Sequence, residues 1–406
     1  MLSFLRMAFR NLIRHKRRTL ITGLMIFFGS FFIIFLLAYG YSFNQSFGEA
    51  VSESLTGDLQ IHTAGEDEED ISFLISPEQV KEIALSKTEV EAISSRIEYF
   101  GSLSTGEEER FVEIKGIEPD KETKINSRLE AVKGEWLSPG GDEILISQDI
   151  ADELNIEPGA ELIIMTNTPA GYLNGIALET AGIVGAEGMD LFLTDSIFID
   201  ISSLRELLFL EENEIEYLIL GLADGVSQQD TTAILENEFA ASGFNLNIKG
   251  WQDIDAPYSG MSLLNRLVPG IVLVIILIIA AVGIINTVLM SVMERKKEIG
   301  TLTAMGTSSR EVIWLFLLEA LILGLIAAGA GLLLALGIIF FLSWYGLPAY
   351  GMMEMLYGGD RLYFSFNWRE IISAFLVIVL VSGGAAFFPA RKAVKMNPVA
   401  ALREKE

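Results

Sequence analysis

The stretch 267–342 decides the fold of this chain. Its first part, 267–293, reads LVPGIVLVIILIIAAVGIINTVLMSVM and has no charged residue. The loop 294–310 follows with ERKKEIGTLTAMGTSSR. The third part, 311–342, has Glu319 as its one charged residue after the first position. Because a helix needs about 20 apolar residues to cross a bilayer core, this pattern predicts two membrane helices joined by a short charged loop.

Two further apolar runs lie near the ends of the chain, at 19–48 and 371–388, and neither has a charged residue. The first run is too long for the apolar core of a signal peptide, and no A-x-A cleavage site follows it, so we expect it to be retained as a membrane helix. The chain is therefore predicted to have four membrane helices, at 19–42, 266–293, 311–343 and 369–389.

The charged residues are unevenly distributed along the 406 residues, whose formal net charge is −25. Residues 43–265 contain 45 Asp and Glu against 11 Lys and Arg. The segments 1–18, 294–310 and 390–406 together contain 15 Lys and Arg against 4 acids. Lysine and arginine concentrate on the cytoplasmic side of membrane proteins, so we expect both termini in the cytoplasm and residues 43–265 and 344–368 outside it. Residues 1–18 have the spacing of a basic amphipathic helix on the inner membrane surface.

The region 43–265 combines strand and helix patterns and predicts an α+β domain between the first two membrane helices. An inner lobe near 132–208 is expected to be inserted into a lobe made from both ends of the region. The strands, recognised by β-branched residues between Gly, Asp or Pro, are predicted at 58–63, 91–99, 111–116, 143–147, 161–166, 175–184, 191–200, 216–222 and 245–248. The acidity of this domain predicts a solvated, self-repelling surface; attraction of a cationic partner is the alternative.

Several classes of functional site have no support in the sequence. There is no cysteine and only two histidines, which makes a cysteine or histidine metal site a poor prediction. The acidic residues are scattered, and no nucleophile is paired with a base. A nucleotide-binding loop needs a Gly-Lys dipeptide, which never occurs here. We therefore expect no catalytic residue, no metal and no cofactor in this chain.

A few polar and small residues stand out within the predicted helices. Asn286 is expected to hydrogen-bond a neighbouring helix. Glu319 lies about 12 Å into its helix, where an ionisable group is costly, so a packing or hinge role facing the protein interior is expected. Four small residues at steps of four, three and four predict close helix packing: Gly324, Ala328, Gly331 and Ala335.

Four separated motifs carry a resemblance to a known family. Met293-Glu294-Arg295-Lys296-Lys297-Glu298-Ile299-Gly300 followed by Ala304-Met305-Gly306 resembles the loop signature of FtsX/MacB-type ABC transporter permeases. Leu318-Glu319-Ala320-Leu321, the tail Pro389-Ala390-Arg391-Lys392-Ala393, and the N-terminal Ala8-Phe9-Arg10-Asn11-Leu12 resemble further segments of the same family. In the outer domain, Val112-Glu113-Ile114-Lys115-Gly116 and Gly57-Asp58-Leu59-Gln60-Ile61-His62 resemble strands of the MacB-like periplasmic domain and of the lipoprotein-releasing (Lol-type) branch.

The resemblance implies that the loop after the second helix docks on a separate cytoplasmic ATPase. Polar contacts are expected from Glu294, Arg295 and Glu298, and an apolar face from Ile299, Leu302 and Met305, with Gly306 at the turn that ends the segment. ATP and magnesium would be bound by that partner as a dimer, and a second permease copy, identical or related, would complete the complex in the inner membrane. An amphipathic loop lying on lipid is the alternative reading of the loop.

Three functions fit the family. The branch resemblance favours release of lipoproteins from the inner membrane, with a lipoprotein cargo or a periplasmic carrier as partner. Efflux of small molecules or peptides with an adaptor is the second. Transmission of ATPase state to a cell-wall hydrolase is the third, and a membrane-anchored enzyme is disfavoured by the missing catalytic groups.

Overall fold

The computed structural model describes residues 7, 10–11, 16–64, 73–74, 76–186, 190–223, 225–251, 253–254, 256–296, 299, 301 and 307–394. Four helices are long and apolar enough to cross a membrane: α1 (Lys16–Val51), α7 (Ala256–Glu294), α8 (Ser309–Tyr345) and α10 (Trp368–Val394). The chain divides into two compact units, described separately below: Met1–Asn44 with Leu263–Leu347 and Leu362–Glu406, and Gln45–Ser262 with Pro348–Arg361.

The second unit, Gln45–Ser262 with Pro348–Arg361, is called the outer unit after its predicted location, and the first is called the membrane unit. The outer unit is a mixed sheet with helices. Its strands are β1 (Leu59–Thr63), β2 (Val90–Ser104), β3 (Glu109–Ile117), β4 (Leu129–Gly134), β5 (Glu143–Ser147), β6 (Glu161–Asn167), β7 (Leu173–Ala186), β8 (Ser196–Asp200), β9 (Tyr217–Leu222) and β10 (Leu246–Gly250). Its helices are α2 (Pro77–Leu85), α3 (Pro119–Ile125), α4 (Gln148–Leu154), α5 (Ile201–Leu208), α6 (Gln228–Ala241) and α9 (Met352–Tyr357). Two two-residue strands, β11 (Leu347–Pro348) and β12 (Arg361–Leu362), flank α9.

The ten longer strands form one sheet in the order β10-β1-β9-β2-β3-β8-β5-β7-β4, and β6 pairs with both β2 and β7. The pairs β3–β8 and β5–β7 are parallel, and the others are antiparallel. Alternation along the strands turns one face toward the core, where Ile61, Ile97, Ile114 and Leu218 are fully buried. The predicted class, four membrane helices with an α+β domain between the first and second, is confirmed, whereas the two-lobe division stays a prediction.

Helix ends differ from the prediction at two places. α1 continues past residue 42 to Val51, because Phe47 and Gly48 pack on Trp251 within the outer unit; a Cβ at Gly48 would lie 2.6 Å from the indole. α10 continues through Pro389 to Val394, although proline was expected to end it. Proline inside a membrane helix is tolerated where neighbouring groups satisfy the freed carbonyl. Asn367 caps the start of α10, and its side chain accepts a hydrogen bond from the Arg369 amide at 3.0 Å.

The membrane unit packs through small residues on α8. Ala328 accepts a hydrogen bond from the Ser30 hydroxyl at 3.0 Å, and a Cβ on Gly324 would lie 2.7 Å from that of Ser382 on α10. Gly331 contacts α1 at Phe27 and Ser30. The four small residues predicted to pack, Gly324, Ala328, Gly331 and Ala335, are all buried in this unit.

Candidate functional site

A buried ion pair lies where α7 ends and α8 begins. Arg295 follows the last residue of α7, and its Nη1 donates to Glu319 Oε1 at 2.8 Å. The two side chains are 8% and 11% exposed. Burying an ion pair is costly unless its geometry is good, so this contact fixes the end of α7 against the N-terminal part of α8.

The same carboxylate also binds the N-terminal segment. The Asn11 side-chain amide donates to Glu319 Oε1 at 2.5 Å, across a sequence separation of 308 residues. Glu319 is therefore held by two donors from two different parts of the chain. The expected interior-facing position of Glu319 agrees with this geometry, but its partners Arg295 and Asn11 were not identified from the sequence.

A second set of contacts joins α1 to α7 beside this pair. Arg18 Nη2 lies 2.7 Å from Glu294 Oε1, and the hydroxyls of Thr22 and Thr287 lie 2.5 Å apart. A cavity of 40 Å³ lies among these groups, lined by Asn11, Arg18, Thr22, Thr287, Arg295 and Glu319. Such a volume holds a few water molecules and is too small for a substrate or cargo molecule.

The predicted docking residues are only partly described. Glu294 and Arg295 take part in the contacts above, and Ile299 is buried against the membrane unit. Glu298, Leu302, Met305 and Gly306 lie outside the described residues. Asn286 is exposed and lines an open groove of 710 Å³ with Met25 and Met290, while the next residue, Thr287, makes the contact to α1. Thr287 thus makes a polar contact to α1 that the sequence did not indicate, and the hydrogen bond expected from Asn286 stays a prediction.

The outer unit has a polar pocket of 410 Å³ on the second face of its sheet. Glu98 lies at its centre, accepting from Tyr217 Oη at 2.6 Å and from Lys115 Nζ at 3.2 Å. Burial raises the pKa of Glu98, but Lys115 and Arg96 outweigh that effect and lower the pKa to about 2. No group of His, Asp or Glu suited to holding a metal occurs among the residues that the structure describes.

Glu216 lies beside Glu98, and its Oε2 accepts from the Glu98 amide at 2.7 Å. Burial, reinforced by the Glu98 charge, raises the pKa of Glu216 from 4.5 to about 8. Glu216 also faces Lys115 and Glu113. A carboxyl group with this raised pKa stabilises the fold fully below about pH 4.5, and its contribution is lost as the pH rises toward 8.

Glu216→Gln is therefore expected to flatten the decline in stability between pH 4.5 and 8. The slope removed is up to about 1.4 kcal/mol per pH unit. Thermal or denaturant unfolding of the purified protein across this pH range measures it. Glu212→Gln, an exposed acid on the preceding turn, is the matched control and should leave the slope unchanged. An equal slope in wild type and Glu216→Gln would contradict the assignment.

Comparison with known proteins decides the family. The MacB-like periplasmic core domain model matches residues 19–238, more than half of the chain, and the FtsX-like permease C-terminal model matches residues 270–398. This chain belongs to the FtsX/MacB family of ABC transporter permeases. The permease thus has the family predicted from its loop and tail motifs, and it is an inner-membrane protein.

The names of its relatives state different functions. The permease is 24% identical to "Uncharacterized ABC transporter permease YknZ" of Bacillus subtilis (strain 168), over 99% of each chain. It is 23% identical to "Macrolide export ATP-binding/permease protein MacB" of Burkholderia thailandensis, over 98% of this chain but 59% of that one. It is 25% identical to "Lipoprotein-releasing system transmembrane protein LolC" of Neisseria meningitidis serogroup B, over 74% of this chain and 75% of that one. The chain thus spans little more than half of its MacB relatives.

Solved structures also resemble the permease. The extracellular domain of the noncanonic ABC-type transporter YknZ from Gram-positive bacteria matches with a TM-score of 0.36 and 13% identity, covering 47% of this chain and 99% of that one. The periplasmic region of MacB from Actinobacillus actinomycetemcomitans matches with a TM-score of 0.37 and 12% identity, covering 47% and 87%.

Proposed function

We propose that this permease is a non-catalytic subunit that transmits the ATP-driven motion of a separate cytoplasmic ATPase to its outer domain. The observation that carries the proposal is the Arg295–Glu319 pair with Asn11. It links the start of the expected docking loop to the N-terminal part of α8 and to the N-terminal segment of the chain. A displacement of the loop by a bound ATPase would therefore be passed directly to the membrane helices.

The lengths of two helices support the same proposal. α1 has 36 residues and α7 has 39, which at about 1.5 Å per residue correspond to roughly 54 and 58 Å. Both are much longer than the 30 Å or so of a bilayer core. Each helix is thus long enough to extend beyond the bilayer core. Family membership implies the remaining parts, an ABC ATPase and a second permease copy. The distribution of lysine and arginine supports a cytoplasmic location for both termini of this chain.

The docking step is tested by replacing Glu298 and Met305 together with alanine. We expect the tagged variant to insert normally but to lose co-purification of the ATPase, because a charged and an apolar contact are removed from one docking segment. The matched control replaces the same residue types, Glu354 and Met353, in the exposed outer loop. Equal recovery of the ATPase with both double variants would rule out docking at this loop.

For the cargo, we propose lipoprotein release from the inner membrane. The similarity to LolC and the Gly57–His62 strand motif support it. Efflux of small molecules or peptides is the second candidate, supported by the matches to MacB over 98% of this chain. In proteoliposomes holding the complete complex, ATP should release a membrane-anchored lipoprotein to an added soluble carrier. ATP-dependent movement of a macrolide without lipoprotein release would favour efflux instead.

Regulation of a cell-wall hydrolase is the remaining alternative. It predicts ATP-dependent activation of a hydrolase by the complex with no cargo moved. The same proteoliposomes, supplied with peptidoglycan and the hydrolase, distinguish it from the two transport functions.

A further inference from the structure

The second face of the outer sheet is polar across five neighbouring strands. β10, β1, β9, β2 and β3 bury apolar side chains on the core face and turn charged or aromatic ones to the other. This polar face lines the 410 Å³ pocket, with an edge of Leu55, Phe192 and Ile254. The volume lies within the usual range of about 300–1,000 Å³ for small-molecule sites, and the polar lining is unsuited to an apolar cargo.

The charges in the pocket are separated along this face. Lys249 on β10 lies at one end, where its positive charge lowers the pKa of His62 on the neighbouring strand β1. Glu98, Glu113 and Glu216 lie at the other end around Lys115, which is 3.0 Å from Glu113 and 3.2 Å from Glu98. One face thus offers Lys249 at one end and, at the other, three carboxyl groups with the cations Lys115 and Arg96 among them; Arg96 Nη1 lies 3.8 Å from Glu98 Oε1.

His62 lies between the two ends. Its ring stacks on Tyr217 with 4.7 Å between ring centroids, and its Nε2 is 2.9 Å from Gln60 Oε1. Burial and, to a smaller extent, the Lys249 charge lower the pKa of His62 to about 4, against the opposing effect of Glu98. The imidazole is therefore neutral at pH 7 and adds hydrogen-bonding capacity without charge.

Two groups in the pocket are left without the partners that burial normally requires. Among the described residues, no carboxylate lies within 4.0 Å of the half-buried Lys249 ammonium. The Nε of Arg96, a side chain only 1% exposed, has no hydrogen-bond partner there either, although its other nitrogens bind Glu122 and the Leu55 carbonyl. Polar groups inside a protein are nearly always paired, so an anionic group of a ligand at Lys249 would supply a partner that the described residues do not.

We propose that this pocket binds a small zwitterion, with its anionic group at Lys249 and His62 and its ammonium among Glu216, Glu98 and Glu113. Polyanions such as nucleotides are disfavoured because they would meet the Glu98 and Glu113 carboxylates. A simple cation would leave Lys249 unpaired. The proposal is independent of the ATPase partner and of the cargo proposed above.

Glycine oligopeptides are suitable probes because they vary length while keeping one charge of each sign. The full-length permease in lipid nanodiscs is titrated by calorimetry with di-, tri- and tetraglycine. We expect saturable binding by at least one of them. N-acetyl-triglycine and triglycine amide, which each lack one charge, should bind at least about tenfold more weakly, the loss of one charge-assisted hydrogen bond.

Two variants assign the ends of the site. Lys249→Gln should weaken the best peptide at least about tenfold, while Lys133→Gln, an exposed lysine of β4, should have no effect. Glu216→Gln should also weaken it. Because the wild-type Glu216 carboxyl is protonated near neutral pH, binding of the ammonium group should ionise it and release its proton to the buffer. The measured heat of binding should therefore depend on the buffer's heat of ionisation in wild type but not in Glu216→Gln.

Three results would overturn the proposal. These are no saturable binding of any of the peptides to the wild-type permease, equal binding of the capped peptides, or unchanged affinity in a Lys249→Gln variant. Each variant is first checked for a wild-type unfolding curve. Should Lys249→Gln not fold, the capped peptides on wild type decide the question by themselves. Loss of peptide binding with the ATPase still co-purifying would leave the proposed function standing, so the two can fail separately.

Discussion

Glu319→Ala is expected to destabilise the permease by about 3–5 kcal/mol and to abolish ATP-driven work by the complex. Arg295 would then remain at 8% exposure with its carboxylate partner removed, and Asn11 would lose the same acceptor. Thermal unfolding of the purified protein measures the first effect, and the release assay in proteoliposomes measures the second.

The double variant Arg295→Met with Glu319→Met separates stability from coupling. Replacing a buried pair by apolar residues of similar size is often neutral for stability, so we expect most of the lost stability to return. Coupling should stay lost, because the polar link to Asn11 is absent. The control is Arg18→Gln with Glu294→Gln, a pair that is 22% and 38% exposed, which should cost about 0–1 kcal/mol. Full ATP-driven activity in the double methionine variant would show that the pair serves stability alone.

Gly331→Ala is expected to lower stability by about 1–3 kcal/mol, or to prevent folding, because α1 and α8 meet backbone to backbone at this residue. The new Cβ would lie on the Phe27 carbonyl oxygen and 3.0 Å from the Ser30 Cβ. Backbone atoms of a packed helix cannot move aside as the end of a side chain can. The unfolding temperature and the amount of monodisperse protein recovered in detergent measure the effect.

Gly337→Ala is the matched control on the same helix. A Cβ there would meet nothing within 4 Å, so the alanine should be neutral or stabilising by up to about 1 kcal/mol, the usual gain over glycine in a helix. Equal stability of the two alanine variants would contradict the close approach of α1 and α8 at Gly331.

The class of fold could be predicted because its signals are local. Uncharged runs of helix length identify the four membrane helices, and the excess of acids between the first two identifies the outer domain. Strands that are buried along nearly their whole length, such as β5 and β9, could be predicted because their runs of apolar residues are local signals too. β4 (Leu129–Gly134) was missed because most of it is exposed and Lys133 and Glu130 interrupt its apolar pattern. The strand expected from residue 191 begins only at Ser196, after a short 3-10 turn at Asp190–Phe192.

The partners in the candidate site could not be predicted, because they are set by tertiary contacts. Glu319 was recognised as costly inside a membrane, but its donors lie 24 and 308 residues away. The contact of Thr287 with α1 was not predicted, because a polar residue near a helix end does not by itself define which side of the helix faces its neighbour. The extension of α1 to Val51 likewise depends on Trp251, a residue 200 positions further along the chain.

We expect ATP, bound by a separate ATPase, to move the outer domain of this permease. The chain has no cysteine, so Glu107→Cys in the exposed β2–β3 turn provides one labelling site per copy. Pulsed electron spin resonance on the spin-labelled complex with its ATPase measures the distance between the two copies, without nucleotide and with ATP. We expect the distance distribution to shift when ATP binds and to return after hydrolysis. An identical distribution in both states, with the ATPase bound and hydrolysing ATP, would contradict the account.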